Sequence, residues 1–133
     1  MTNSILLGKS IFNLLSASTD LQKYIGDKIY PLVADNDVSF PFITYSRESV
    51  YPSDSTKDGY HEDTCTFSVL VVSQKYIESL EIANICRGIF EKRKIVSEGL
   101  ILEYVMLESI SEDYTENSFT QNLTFTCKVT DKI

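Results

Sequence analysis

The sequence predicts an α+β fold, an antiparallel β-sheet with two main helices packed on one face, in a single domain spanning residues 1–133. Three observations carry this expectation. At the C-terminal end, Phe119, Leu123, Phe125, Cys127 and Val129 alternate with Thr120, Asn122, Thr124, Thr126, Lys128 and Thr130, and only Gln121 breaks the apolar series. A period of two places the apolar side chains on one strand face and the hydroxyls and amides on the other. Residues 64–73 repeat the pattern, with Cys65, Phe67, Val69 and Val71 opposite Thr64, Thr66 and Ser68. Two further stretches, 4–17 and 74–93, carry apolar residues at helical spacing.

Taken in order, segment 4–17 presents Ile5, Leu7, Ile11, Leu14 and Leu15 on one helix face, with Ser4 as its N-cap and Lys9 and Asn13 on the wet side. A short second helix begins at Thr19, whose hydroxyl caps while Gln22 reaches back; it buries Leu21 and Ile25 and stops near Gly26. Ile29 and Tyr30 form a brief extended piece ended by Pro31. The polar loop 32–40 leads to Pro41, which cannot donate to a ladder and so belongs at a strand start or a sheet edge. Phe42 to Glu48 reads as a strand. Residues 49–62 gather Pro52, Ser53, Asp54, Ser55, Asp58 and Gly59, too many for a simple hairpin, and read as a mobile loop that orders on assembly.

In the strand 64–73, Leu70 and Val72 make the far end apolar on both faces, which predicts cover on both sides. Ser73 caps the main helix, 74–93, whose stripe is Tyr76, Ile77, Leu80, Ala83, Ile85, Cys86, Ile89 and Phe90. Lys92, Arg93 and Lys94 complement its C-terminal dipole. A strand over Leu100–Glu108, an acidic turn around Glu112 and Asp113 and the final strand 119–130 complete the chain. The expected core includes Leu14, Phe67, Val69, Leu80, Ile89, Leu102, Leu123 and Phe125.

Composition narrows the function classes. The chain is 43% hydrophobic and 23% charged, an ordinary globular balance. Twelve Lys and Arg against nineteen Asp and Glu give a formal charge of −7. Duplex binding needs cations that displace counterions from phosphates, so sequence-specific nucleic-acid binding is not expected. The same charge repels anionic lipid, and no apolar run approaches a membrane span. Cys65, Cys86 and Cys127 are widely spaced, odd in number and set among apolar residues, the pattern of buried reduced thiols in a cytoplasmic chain. Met1 to Ser10 lacks the charged start and apolar run of a signal peptide.

No catalytic constellation emerges, and the chain is not expected to be an enzyme. His61, Glu62, Asp63 and Cys65 are the one crowded set of ligand-type residues, but no second cluster completes a metal site. Glu112, Asp113 and Glu116 have neither a calcium-loop glycine nor a paired base and read as a solvated turn. No serine sits in a nucleophile elbow, and Gly88 and Gly99 belong to no phosphate loop. Asn122-Leu123-Thr124 matches a glycosylation sequon that a cytoplasmic chain would not use. No catalytic, cofactor-binding or metal residue is therefore assigned, and no cofactor is expected. What stands out is binding surface: the loop, the hydroxyl-rich sheet face, and Tyr51, Tyr60 and Tyr114 in exposed-looking places.

Leu14-Leu15 in the first helix, then Ile29-Tyr30-Pro31, a short loop, Phe40-Pro41-Phe42-Ile43-Thr44-Tyr45, and a strand leading into an amphipathic helix of about twenty residues resemble the tail completion, or tail terminator, proteins of long-tailed phages and prophages. That family is related to the minor tail protein U of lambda-type phages, and the resemblance covers about residues 5–130. It implies an α+β fold, a hexameric ring on the last ring of the tail tube, and no active site. The partners it implies are other copies of the chain, the tail tube protein and a head-completion or neck protein, in the host cytoplasm during assembly and then in the virion tail. A ring needs two different patches that meet between copies. The subunit-interface candidates are Tyr51, Tyr60, Thr124 and Thr126. A monomeric adaptor that grips a peptide with the long loop, and another head–tail connector component, are the alternatives.

Overall fold

A computed structural model describes residues 2–52 and 62–132. A 3-10 turn, Ser4–Leu6, runs into α1, Leu7–Ser16, and then α2, Thr19–Ile25. The strands β1 (Ile29–Pro31), β2 (Phe42–Pro52) and β3 (Asp63–Ser73) follow, then α3 (Tyr76–Phe90) and the strands β4 (Lys94–Ser97), β5 (Leu100–Thr115) and β6 (Ser118–Asp131). The six strands form one curled sheet in the order β1-β2-β3-β6-β5-β4. All neighbours are antiparallel except β1, which runs parallel to β2.

The central ladder has the register that the alternation predicts. Phe67 lies opposite Phe125, Val69 opposite Leu123 and Cys65 opposite Cys127, all buried beneath the helices. Phe67 stacks on Phe125 with centroids 5.2 Å apart, and Phe90 of α3 closes the group at 5.2 and 5.4 Å. Side chains of this size each contribute roughly 1.5–3 kcal/mol by leaving water. Gln121 belongs to the same buried row, at 3% exposure, because its amide donates to Ser79 Oγ of α3 at 3.3 Å.

Several expectations are corrected at the helices. Ser4 does not cap α1: its hydroxyl donates to the Asp63 carboxylate, and Ile5 is 71% exposed because the chain there is a 3-10 turn. The buried stripe of α1 is Leu7, Ser10, Ile11 and Leu15, leaving Leu14 half-buried. Ser18, not Thr19, caps α2, accepting from the Leu21 amide at 3.2 Å. α3 is shorter than 74–93, with Lys92 and Arg93 beyond its end, and it buries Ser79, Ile82, Ala83, Cys86 and Phe90. Tyr76, Ile77 and Leu80 point outward and Ile89 is half-buried, so Leu80 is not core. The sequence stripe was too wide for one sheet contact to cover. Ser73 is not the cap either: the N-cap of α3 is Lys75, with no side-chain cap, and the Ser73 hydroxyl, two residues earlier, accepts from the Lys75 amide and donates to Glu78 at 2.7 Å.

The strands are longer than expected. β2 continues through Ser49–Pro52, and the acidic stretch Glu112–Asp113 is strand, not turn. The β5–β6 turn lies at Glu116-Asn117, both with left-handed φ (54° and 61°). That pair is what a tight hairpin following the sheet's twist requires. The strand β4 was not anticipated; it returns to β5 through Glu98 and Gly99, again both at positive φ.

Candidate assembly surfaces

The helices α1 and α3 cover one face of the sheet, and on the other face β3 and β6 lay out a hydroxyl ladder. Thr64, Thr66 and Ser68 stand opposite Lys128, Thr126 and Thr124. Lys128 donates to Thr64 Oγ1 at 2.8 Å. At the β2 side, the hydroxyls of Ser46 and Ser68 both donate to Glu48 at 2.6 Å and hold its carboxyl below the usual carboxylate range. These groups satisfy one another, which keeps a polar face ordered without a packed layer above it.

Of the interface candidates, Tyr51 lies on this same face opposite Thr64 and is 68% exposed, while Thr124 and Thr126 stand half-buried in its centre. Tyr60 lies outside the described residues, as does most of the loop predicted for 49–62; residues 49–52 are strand. Tyr114 is 56% exposed near the hairpin end, 4.7 Å from the Phe119 ring.

Where the loop 32–40 approaches the β5–β6 turn, an open cavity of about 460 Å³ is floored by Phe42, Leu70, Val72 and Thr120. Leu32 and Val33 on its rim are each 76% exposed. This cover explains the two-sided apolar end of β3.

The ligand-type cluster resolves into structure. Asp63 is buried and accepts from Thr2 and Ser4, so its carboxylate anchors the N-terminal segment. His61 lies outside the described residues. Among the described residues no three His, Cys, Asp or Glu side chains stand close enough to hold a metal ion. Burial pushes the Cys86 and Cys127 thiols up to about 12 and that of Cys65 to about 11, so none is a ready nucleophile. The sequon is part of β6, with Leu123 in the core.

Sequence reasoning missed the two free strand edges. Among the described residues β1 pairs only with Ile43–Tyr45, and β4 only with Leu100–Glu103. Segment 91–93 extends the cover of β5: the Arg93 and Lys92 carbonyls accept from Tyr104 and Val105 at 2.8 and 3.0 Å, and the Glu91 carboxylate from the Leu107 amide at 3.2 Å. Beyond these, Ser46–Pro52 and Glu108–Thr115 have no outer strand partner among the described residues. Gly99 and Asn117 mark the turns that end β4 and β5 in sequence, but no residue marks where β1 and β4 stop along their neighbours.

No protein-family description matches the chain, and no curated protein matches it. Among solved structures it is similar to a chain of the virion of a native gene transfer agent particle. The TM-score is 0.75 at 14% identity, over 93% of this chain and 94% of that one. At that identity the likeness establishes the fold, end to end.

Proposed function

We propose that this protein is a structural component of a phage-like particle, and that its task is tail completion. In this reading, copies of the chain close into a hexameric ring on the last ring of the tail tube, stop its growth and offer a surface to the head. The observation that carries the reading is the likeness to a chain of a gene transfer agent virion, which spans nearly all of both chains. The motif resemblance of the sequence to tail completion proteins supplies the finer assignment.

Two physical properties agree with it. A charge of −7 suits the wall of a conduit through which DNA must pass without sticking. The fold also exposes a polar sheet face and two free edges, the kind of surface that serves assembly more readily than catalysis. Tyr51, Thr124 and Thr126 on that face, and Tyr60, are proposed contact residues, with the tail tube and a neck protein as the partners of the two ring faces. Light scattering across a concentration series tests the ring: the reading expects a closed hexamer at high concentration. A monomer that never associates, even on added tail tubes, would overturn it.

A further inference from the structure

The two free edges are complementary in position, direction and chemistry. They sit at diagonal corners of one sheet, because β1 covers one end of β2 and β4 covers the opposite end of β5. Strand direction alternates from β2 through β3 and β6 to β5. A second copy placed beside β5 by rotation about an axis along the strands therefore presents its β2 antiparallel to that edge.

We infer that Glu108–Asp113 of one copy pairs with Ser46–Pro52 of the next, joining neighbouring sheets into one continuous, staggered sheet; this rests on the ring reading above. Centring the two free stretches puts Ser49 opposite Ser111. Val50 then faces Ile110, both on the helix-bearing face, where Val50 is half-buried and Ile110 is 44% exposed. Tyr51 faces Ser109 on the open face. The β2 bulge between Arg47 and Ser49 sets Arg47, also on the helix-bearing side, against Glu112 of the neighbour. Apolar thus meets apolar and cation meets anion on matching faces.

The stagger has the size that closure needs. Within one copy the row of Ser49 runs through Thr66 and Thr126 to Met106, whereas Ser111 shares a row with Asn122, four β6 residues away. Four rows, about 13 Å, over the four strands β2, β3, β6 and β5, about 19 Å, give a strand tilt of about 35°, the lower end of what closed barrels adopt. The corner strands set the limits of the pairing. β4 and segment 91–93 stop short of Glu108, and the neighbour's β1, level with Ile43–Tyr45, begins opposite Tyr114, so the pairing ends at Asp113 and the hairpin tip Tyr114–Asn117 leaves the plane of the joined sheet there. Long unpaired edges are a liability that a self-assembling protein can turn into an interface.

Two experiments test the pairing. Ser49→Cys and Ser111→Cys variants, mixed and oxidised, should give an intermolecular disulfide that neither variant gives alone; the native thiols are buried and stay silent. Arg47 also donates to the Ile5 carbonyl of its own chain at 2.7 Å, so Arg47→Glu should lower the unfolding midpoint slightly while weakening association about tenfold or more, and adding Glu112→Arg should restore association but not the midpoint. Wild-type hexamers that give no Ser49–Ser111 cross-link and ignore Arg47→Glu would overturn the pairing and leave the ring reading standing. Cross-linked open chains in place of hexamers would support the pairing and overturn the ring.

Discussion

Ser4 and Asp63 stand 59 positions apart in sequence and share a buried hydrogen bond, with the Ser4 hydroxyl donating to the carboxylate. Thr2 donates to the same carboxylate, and the Asn3 amide to Asp131 at 2.7 Å. The N-terminal segment is thereby clasped to the starting end of β3 and the finishing end of β6. Asp63→Ala removes the acceptor of two hydroxyls at a buried position. It should destabilise the fold by about 1–3 kcal/mol, read as a lower denaturant midpoint with an unchanged slope.

The aromatic and aliphatic centre should be far less tolerant. Leu123 and Phe125 are fully buried between β3 and α3. Leu123→Ala or Phe125→Ala should cost about 2–5 kcal/mol by opening a cavity. Thr124→Ala, on the opposite face, should cost well under half as much. Equal losses at positions 123 and 124 would contradict the register.

Gln121 shows how far the strand pattern could be read. The alternation in 119–130 and 64–73 fixed which residues face the helices, and the core of both strands follows it. Gln121 interrupts the pattern in sequence yet keeps its place in the row, because α3 supplies Ser79 as a partner that only the folded chain brings near. The stripe of α3 was legible in period but not in phase: Leu80 and Ile82 look alike in sequence, and the position of the sheet decides between them. The open edges were hidden for a similar reason. Strand ends depend on where partners stop, and the shortness of β1 and β4 is a tertiary fact. Of the interface candidates, Thr124 and Thr126 fall on one face as their alternation implied, whereas Tyr51, expected in the loop 49–62, reaches that face because β2 runs on to Pro52.

The thiols give a simple check on packing. With all three held at about 11 to 12 by burial, a disulfide-exchange reagent at pH 8 should leave native Cys65, Cys86 and Cys127 unlabelled over minutes. Denaturant should release all three together. Fast labelling of one in the native state would show that its strand or helix opens.

Glu48 sets a pH dependence on the open face. Its folded pKa lies below the ordinary value because Ser46 and Ser68 donate to the carboxylate. Its stabilisation is therefore complete above the unfolded pKa, about 4.3, and is lost as pH falls through the lower folded value. The side chain is largely exposed, so the gain over Glu48→Gln should be no more than about 1 kcal/mol near neutral pH. That gap should close on acidification, and a gap that widens toward acid would contradict the two hydroxyl bonds.

The most direct test of tail completion is the morphology of particles made without this protein. In a phage or prophage that carries the gene, its deletion should yield tails of uncontrolled, excessive length that fail to join filled heads, and resupplying the protein should restore both length and joining. Tails of normal length, joined to heads in normal yield, would contradict the account.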